Sequence, residues 1–301
     1  MTDFFGLTPE QQAERMQAAG MDVLANWGIE EAELSLIKYR ENAVFRVDHA
    51  GGRHALRMHR AGYHSDDELR SELQWMQALQ DAGVQTPTVV PAQSGDLFIR
   101  HSAAGLPGTL QVDLFEWISG EQIGSVEEGI SDQAEAEKTY ATIGEIAAKV
   151  HNQAAAWSLP SGFTRHAWDE EGLAGENAFW GRFWEIAAAK DTQRALLRRT
   201  RDVIYQDLKS MPKTPDTYSM IHADFAPENL MIDENGVQLI DFDDAGFGWH
   251  LFEIATSVYF LREDPAYEAI LAATIRAVSY THLTLPTIPR WCRSRGGAGR
   301  E

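Results

Sequence analysis

The segment from Met220 to Ala245 contains the residues of this chain that are best suited to chemistry. Asp224 follows an apolar run, Asn229 comes five residues later, and Asp241 ends a second short apolar run. Because two short strands that flank a turn lie side by side, we expect Asn229 and Asp241 to lie close together beside Asp224. Carboxylate and amide oxygens are the ligands that Mg²⁺ takes when it also binds phosphates. One carboxylate is then left to orient a substrate hydroxyl group, as phosphoryl transfer requires.

This segment resembles the catalytic and metal-binding loops of the protein-kinase-like fold. The matching motifs are His222-x-Asp224-x-x-x-x-Asn229 and Asp241-Phe242-Asp243. The chain is most similar to the small-molecule branch of that fold, which comprises the aminoglycoside phosphotransferases, the choline kinases, and the homoserine-kinase-like and stress-response-kinase-like bacterial enzymes. Protein kinases carry His-Arg-Asp and Asp-Phe-Gly, whereas Ala223 and Asp243 stand at the variable positions here. The resemblance covers about residues 30 to 276.

The resemblance implies an α+β, two-lobed fold with a small antiparallel-sheet N-lobe and a helical C-lobe. Residues 1–29 would form an N-terminal helix, residues 30–117 the nucleotide-binding N-lobe, and residues 118–277 the C-lobe with the catalytic and acceptor sites. It also implies ATP and Mg²⁺ as cofactors, with the γ-phosphoryl group passing to a hydroxyl group of a small molecule such as an amino alcohol or an aminoglycoside.

The resemblance assigns a role to each motif residue. Asp224 would orient the acceptor hydroxyl group and accept its proton. Asn229 and Asp241 would hold Mg²⁺, and Asp243 would be an accessory ligand. His222 would brace the loop. Glu253 stands where relatives usually have an aspartate that braces the catalytic loop, and the effect of the longer side chain is left open.

Three strand-like runs precede this segment and carry a candidate phosphate-binding cation. They are residues 34–39, 43–47 and 53–59, with Gly51-Gly52 as a hairpin turn. Ala55-x-Arg57 resembles the third-strand Ala-x-Lys of kinases, whose cation contacts the nucleotide phosphates. A guanidinium group can bind phosphate oxygens bidentately, although Arg57 could also be a solvent-exposed strand residue.

A helix of the N-lobe is predicted from a capping box that begins at Ser65; this helix would end near Asp81. Glu68 and Glu72 share one face of this helix. The resemblance makes Glu72 the acid that pairs with Arg57. Alternatively, Glu68 could pair with Arg57, or Glu72 could be a solvated acid on the helix surface.

Two further nucleotide contacts are placed by their order in the chain. The loop at residues 40–43 lacks Gly-x-Gly-x-x-Gly and resembles the branch in which an Asn-containing turn covers the phosphates, so Asn42 is a candidate contact. Residues 110–118 are predicted to be the fifth strand. In kinase-like folds this strand leads into the hinge, whose backbone binds adenine, and this places the hinge near Glu116 to Ile118.

The second half of the chain is rich in predicted helices, including residues 131–157 and 192–209. In the latter, Leu196, Val203 and Leu208 are expected to face inward. Between the two lies an aromatic and acidic stretch, residues 163–185, where related kinases build the acceptor pocket. These aromatic side chains could hold a cation or fill the core, and the sequence leaves both open.

The composition of the chain limits the classes of binding partner that we expect. The formal charge of −19 disfavours binding to nucleic acid and to anionic membranes, and the chain has no apolar run of membrane-spanning length and no signal-peptide pattern. We therefore expect a cytoplasmic protein whose partner is a small molecule; the sequence does not indicate the oligomeric state. Residues 278–301 carry four arginines and one glutamate and are interpreted as a non-native tail after an incomplete C-lobe.

Other functions remain as alternatives. One alternative is a nucleotide-binding pseudokinase, which would bind ATP without turnover. The non-native tail at residues 278–301 and the Glu253 substitution make this alternative conceivable. A Ser/Thr protein kinase of the stress-response type would share the same motifs. A metal-dependent hydrolase that uses His222, Asp224 and Asp241 is disfavoured, because one histidine among several acids suits Mg²⁺ better than Zn²⁺.

Overall fold

The computed structural model describes residues 4–125, 132–234 and 236–281. The chain divides into two compact units, each built from separate stretches of sequence. The sheet unit comprises Met1–Glu121, Leu159–Arg165 and Met231–Asp243, and the helical unit comprises Gln122–Ser158, His166–Leu230 and Asp244–Glu301. The residues from 282 onward, which include most of the predicted non-native tail, lie outside the described residues.

The secondary structure mixes short strands with helices. The strands are β1 (Ala32–Tyr39), β2 (Ala43–His49), β3 (Gly52–Met58), β4 (Ile99–His101), β5 (Leu110–Glu116), β6 (Glu121–Gln122), β7 (Ala167–Trp168), β8 (Tyr218–Ile221), β9 (Leu230–Asp233), β10 (Gly236–Leu239) and β11 (Gly246–Trp249). The α-helices are α1 (Pro9–Val23), α2 (Asp66–Asp81), α3 (Gln133–Ala156), α4 (Glu170–Ala174), α5 (Asp191–Ser210), α6 (His250–Val258) and α7 (Tyr267–Thr281). The predicted α+β class is confirmed.

The sheet unit is organised around a five-stranded antiparallel sheet in the order β1-β2-β3-β5-β4. Alternate apolar residues of the strands pack with α1, whose Met16, Ala19 and Val23 are buried. Helix α2 begins as predicted, because the Ser65 side chain accepts from the Glu68 N–H group and the Glu68 carboxylate accepts from the Ser65 N–H group. The sheet thus fixes β3 and β5, which carry the charged residues of the candidate site.

The residues that follow β10 are held against α2 and the loop after it. The Leu239 N–H group donates to the Gln85 carbonyl oxygen at 2.9 Å. Phe242 is fully buried and meets the buried Trp75 ring edge-on, with ring centroids 5.7 Å apart. These contacts place Asp241 and Asp243, which flank Phe242, within the sheet unit.

The helical unit has a small sheet in the order β7-β11-β8 and a long helix pair, α3 and α7. None of the helices in the described ranges is long and apolar enough to cross a membrane. The inward orientation predicted for α5 is wrong: Leu196 and Val203 are 56% and 60% exposed. Arginine forms the contacts instead, because the Arg201 guanidinium donates to the Ala174 carbonyl oxygen and lies over the Trp184 ring.

Gly144 allows α3 and α7 to approach closely, and we expect Gly144→Ala to destabilise the helical unit. A Cβ atom at this position would lie 2.6 Å from the Thr274 carbonyl oxygen and 3.1 Å from the Ala277 Cβ atom. Alanine favours a helix by about 1 kcal/mol over glycine, but a backbone atom cannot move aside cheaply, and overpacking costs about 1–3 kcal/mol. Urea denaturation should show a lower free energy of unfolding. Glu145→Ala, at an exposed neighbour, is the control, and an unchanged value for Gly144→Ala would contradict the argument.

Candidate active site

The loop that follows β8 carries the predicted catalytic residue. Residues 222–226 lead from β8 into a short 3-10 helix, Pro227–Asn229. The Asn229 side-chain amide donates to the Asp224 carbonyl oxygen at 3.0 Å and to Asp224 Oδ2 at 2.7 Å. Both bonds use the amide nitrogen, so Asn229 is oriented with its Oδ1 as the group suited to a metal ion. Asp224 and Asn229 are therefore brought together as one polar pair.

Glu253, on α6, braces this loop from behind. Its carboxylate accepts hydrogen bonds from the His222 N–H group at 2.9 Å and from the Ala223 N–H group at 2.6 Å, and it is fully buried. His151 Nε2 lies 3.3 Å from Glu253 Oε2. The longer acid thus reaches the backbone immediately before Asp224, which answers the question that the sequence left open.

Each of the two units has a strained backbone position. Among the described residues, Ala223 and Asp241 are the non-glycine residues with positive φ, at 68° and 65°. A left-handed conformation is unfavourable for residues with a side chain and persists only where the surroundings impose it. One strained residue directly precedes Asp224 and the other is the predicted metal ligand, so the strain coincides with the residues singled out from the sequence.

Glu253 gives the loop a pH dependence that can be measured. Burial raises the pKa of Glu253 to about 7, against the opposing effects of His222 and the two backbone N–H groups. Protonation would place a hydroxyl group against backbone donors, so we expect kcat to decline as the pH falls below about 7. Stability should move the other way: the folded-state pKa exceeds the unfolded value, so proton binding favours folding as the pH falls from about 7 toward 4.5.

The Glu253→Gln variant separates these effects. Its amide nitrogen must face one of the two backbone donors at every pH, so we expect a lower kcat and the loss of the acid limb near pH 7. A pH–rate profile and a melting curve across the same pH range provide the test. An acid limb that persists unchanged in Glu253→Gln would assign it to another group.

Charged residues of the sheet unit form a buried cluster around Arg57. Its Nη2 atom lies 2.8 Å from Glu72 Oε1 and 2.7 Å from Asp113 Oδ2, and its Nε atom donates to Asp113 Oδ1 at 3.1 Å. The Arg57 side chain is only 9% exposed. Glu72 therefore contacts Arg57, as the resemblance implied, but Asp113 holds the same guanidinium group from the other side.

Electrostatics keep these acids ionised. Although burial opposes ionisation, the Arg57 charge and the neighbouring His59 lower the pKa of Asp113 to about 2. Burial likewise opposes ionisation of Glu72, and the charges of Arg57 and Arg165 hold its pKa below the ordinary value. A buried charge is tolerated only when it is paired, and the two carboxylates and two guanidinium groups satisfy that condition for one another.

The two predicted acidic ligands of the sheet unit have different surroundings. The Asp241 side chain is 39% exposed, and its Oδ2 atom lies 3.9 Å from Lys38 Nζ. Asp243 is buried, and its Oδ1 atom lies 3.7 Å from His64 Nε2 and 3.9 Å from His59 Nδ1. Asp241 is the more accessible of the two for a ligand.

The remaining predicted nucleotide contacts lie in the sheet unit. The Asn42 side-chain oxygen accepts from the Arg60 N–H group at 3.0 Å. The Glu116 N–H group donates to the Thr88 carbonyl oxygen at 2.9 Å. Glu116 and Ile118 line a cavity of about 450 Å³ together with residues of the loop after α2.

Asp113 and Arg165 are among the members of the charged cluster that sequence reasoning missed. Asp113 had a detectable signal, because an aspartate within the apolar run of β5 requires a partner, and it lies directly opposite Arg57 in the β3–β5 register. Arg165 had none: it lies in the loop after α3, far in sequence from every residue it contacts.

The aromatic stretch forms a cluster in the helical unit. Trp168 is buried and packs in one apolar cluster with Ile221 and Ala223, the residue before Asp224. The Phe179 ring meets the Trp168 ring edge-on at 5.0 Å, while Trp180 remains 63% exposed. The stretch therefore contains buried rings, at Trp168 and Trp184, and an exposed ring at Trp180.

Comparison with known proteins gives a family match. The model of the family described as "Phosphotransferase enzyme family" matches residues 36–285. The chain is 22% identical over 240 residues to the amicoumacin kinase of Bacillus subtilis (strain 168), covering 79% of this chain and 66% of that kinase. The chain thus spans about two thirds of the length of this relative.

Solved structures of similar fold were also found. The chain is similar to the microcompartment-associated aminopropanol kinase, with a TM-score of 0.76 and 31% identity over 91% of this chain and 82% of that chain. The amicoumacin kinase hAmiN, solved with AMP-PNP, Ca²⁺ and Ami, gives a TM-score of 0.70 with 16% identity, covering 91% of this chain and 80% of that chain.

Proposed function

The chain belongs to the phosphotransferase enzyme family and has its protein-kinase-like fold, and we propose that it transfers the γ-phosphoryl group of ATP to a hydroxyl group of a small molecule. The observation that carries this proposal is the Asp224–Asn229 pair on a strained loop whose backbone is braced by the buried Glu253. Such a loop holds a carboxylate in one orientation, and catalysis of phosphoryl transfer consists largely of positioning and electrostatics.

Asp224 would orient the acceptor hydroxyl group and accept its proton. Asn229, through its side-chain oxygen, and Asp241, through its carboxylate, are each proposed as Mg²⁺ ligands, since both offer the hard oxygen atoms that this ion prefers. The orientation of the Asn229 amide supports this, because its donor faces Asp224 and leaves the oxygen as the metal-binding group. When bound, Mg²⁺ would neutralise phosphate charge; Asp243, given its burial, would contribute to the charged cluster more than to the metal.

The sheet unit would bind the nucleotide. Arg57, held by Glu72 and Asp113, would present its remaining N–H groups to a phosphate oxygen, and the Asn42 turn would cover the phosphates. The backbone between Glu116 and Ile118 would contact adenine. Support comes from the fixed position of Arg57, whose two carboxylate partners leave it little rotational freedom.

We favour a small amino alcohol as the acceptor. Of the two solved structures described above, the one with the higher sequence identity to this chain is an aminopropanol kinase. The chain itself carries a formal charge of −19, which attracts a cation, and the exposed Trp180 ring could contact an ammonium group. Nucleic acid does not suit this charge, and a cytoplasmic location suits an ATP-dependent reaction.

The test is acceptor-dependent release of ADP from ATP and Mg²⁺. The panel should contain aminopropanol, ethanolamine, choline, homoserine, hydroxylysine, aminoglycosides, macrolides and a generic protein. ADP release with one of the small molecules, absent from Asp224→Asn, supports the proposal and gives the acceptor class. ADP release with the generic protein, and with none of the small molecules, would favour a protein kinase. ATP binding without ADP release in the presence of any acceptor would favour a pseudokinase.

A further inference from the structure

Arg165 connects three separate segments of the sheet unit. Its side chain is fully buried, and its guanidinium group donates to the Phe242 carbonyl oxygen at 3.3 Å and to the Asp243 carbonyl oxygen at 2.6 Å. On the other side it lies 3.2 Å from Glu72 Oε2 and 3.3 Å from the Glu68 carbonyl oxygen. One side chain therefore joins α2 to the backbone that directly follows Asp241.

Glu72 is shared between two arginines. Its Oε1 atom bonds to Arg57 and its Oε2 atom to Arg165, so the carboxylate is held at both oxygens. The segment that carries Arg165 is itself fixed on α2, because the Thr164 N–H group donates to the Ser71 hydroxyl group at 2.9 Å. Arg165 and Arg57 thus hold opposite oxygens of one carboxylate.

We propose that Arg165 is a positioning residue for phosphoryl transfer: it fixes the Glu72 carboxylate and the Phe242–Asp243 backbone in one arrangement. Asp241 adopts a strained left-handed conformation, and such a conformation persists only where neighbouring groups impose it. Arg165 bonds to the carbonyl oxygens of Phe242 and Asp243, the two residues that directly follow Asp241. The effect on turnover rests on the proposed kinase function, whereas the structural coupling does not.

The geometry requires a guanidinium group. The four acceptor oxygens lie on two sides of the side chain, and the planar guanidinium group of arginine has N–H donors that point in both directions. The ammonium group of lysine is a single donor centre on a shorter side chain, so it cannot bond to all four. The variants are therefore Arg165→Lys, Glu72→Gln and the double variant. Arg70→Lys is the matched control, because Arg70 lies on α2 and is exposed, paired with Asp67.

We expect Arg165→Lys to lower kcat by about 10–100-fold while the KM for the acceptor changes little, since a small displacement of a catalytic group costs turnover. Because Arg165 acts in part through Glu72, the losses of the two single variants should be less than additive in the double variant. Wild-type kcat in Arg165→Lys, or additive losses in the double variant, would overturn the proposal.

Hydrogen exchange provides a measurement that does not depend on activity. Amide protons of residues 66–81 and 239–245 should exchange faster in Arg165→Lys, and those of α3 and α7 should not. If the wild-type chain releases no ADP with any acceptor, the proposed function is wrong. Hydrogen exchange would then still test whether Arg165 couples Glu72 to the Phe242–Asp243 backbone. Unchanged exchange in both segments, or an equal increase throughout the chain, would overturn the coupling.

Discussion

The Asp224→Asn variant is expected to lose about 10²–10⁴-fold in kcat, the range that general-base groups contribute. Asparagine has the same shape as aspartate but cannot accept the proton of an acceptor hydroxyl group. Its side-chain oxygen can still accept from the Asn229 Nδ2 donor, which now lies 2.7 Å from Asp224 Oδ2, so its NH2 group takes the place of the other carboxylate oxygen. The loop itself should remain in place, because Glu253 holds the preceding backbone. ADP release under saturating ATP and acceptor is the measurement.

The control for this variant is Asp216→Asn, which removes a charge from an exposed position before β8. It should leave kcat within about twofold, because a distant surface charge contributes little in water. ATP should raise the melting temperature of Asp224→Asn as it does that of the wild type. Full activity in Asp224→Asn would remove the catalytic assignment, and loss of the ATP-induced shift would indicate damage to binding in place of chemistry.

The sequence predicted well those features that depend on local chemistry. The capping box predicted at Ser65 marks the start of α2 and forms as predicted. The alternation of apolar residues and the Gly51-Gly52 turn place β2 and β3 to within two residues. The pairing of Asp224 with Asn229 likewise follows from a spacing of five residues across one short turn.

Two features that depend on tertiary contacts, the bonds of Arg165 and the buried face of α5, were not predictable from the sequence. The bonds of Arg165 to Glu72 and Asp243 join residues 93 and 78 positions apart, and no local pattern announces them. The apolar spacing in α5 suggested an inward face at Leu196 and Val203, but periodicity cannot tell which side of a helix meets a neighbour. There the contact is made by Arg201, whose long side chain covers Trp184.

Asp241→Asn and Asp243→Asn should separate the metal ligand from the structural acid. The Asp241 side chain is 39% exposed and lies near Lys38, and its backbone adopts a left-handed conformation. We expect Asp241→Asn to lower kcat by roughly 10²–10³-fold, a loss of the size seen when one electrostatic contact to the reacting group is removed. The Mg²⁺ concentration for half-maximal activity should rise, and the melting temperature should change little.

Asp243→Asn should behave differently, because its carboxylate lies within the buried cluster that contains His59, His64 and Arg57. Removing this charge leaves buried cations less well compensated, so the melting temperature should fall while the Mg²⁺ dependence stays near that of the wild type. Titrating Mg²⁺ in activity assays and melting both variants gives two independent measurements. If Asp243→Asn shifted the Mg²⁺ requirement as much as Asp241→Asn, both acids would be metal ligands, and the burial of Asp243 would have to change when the ion binds.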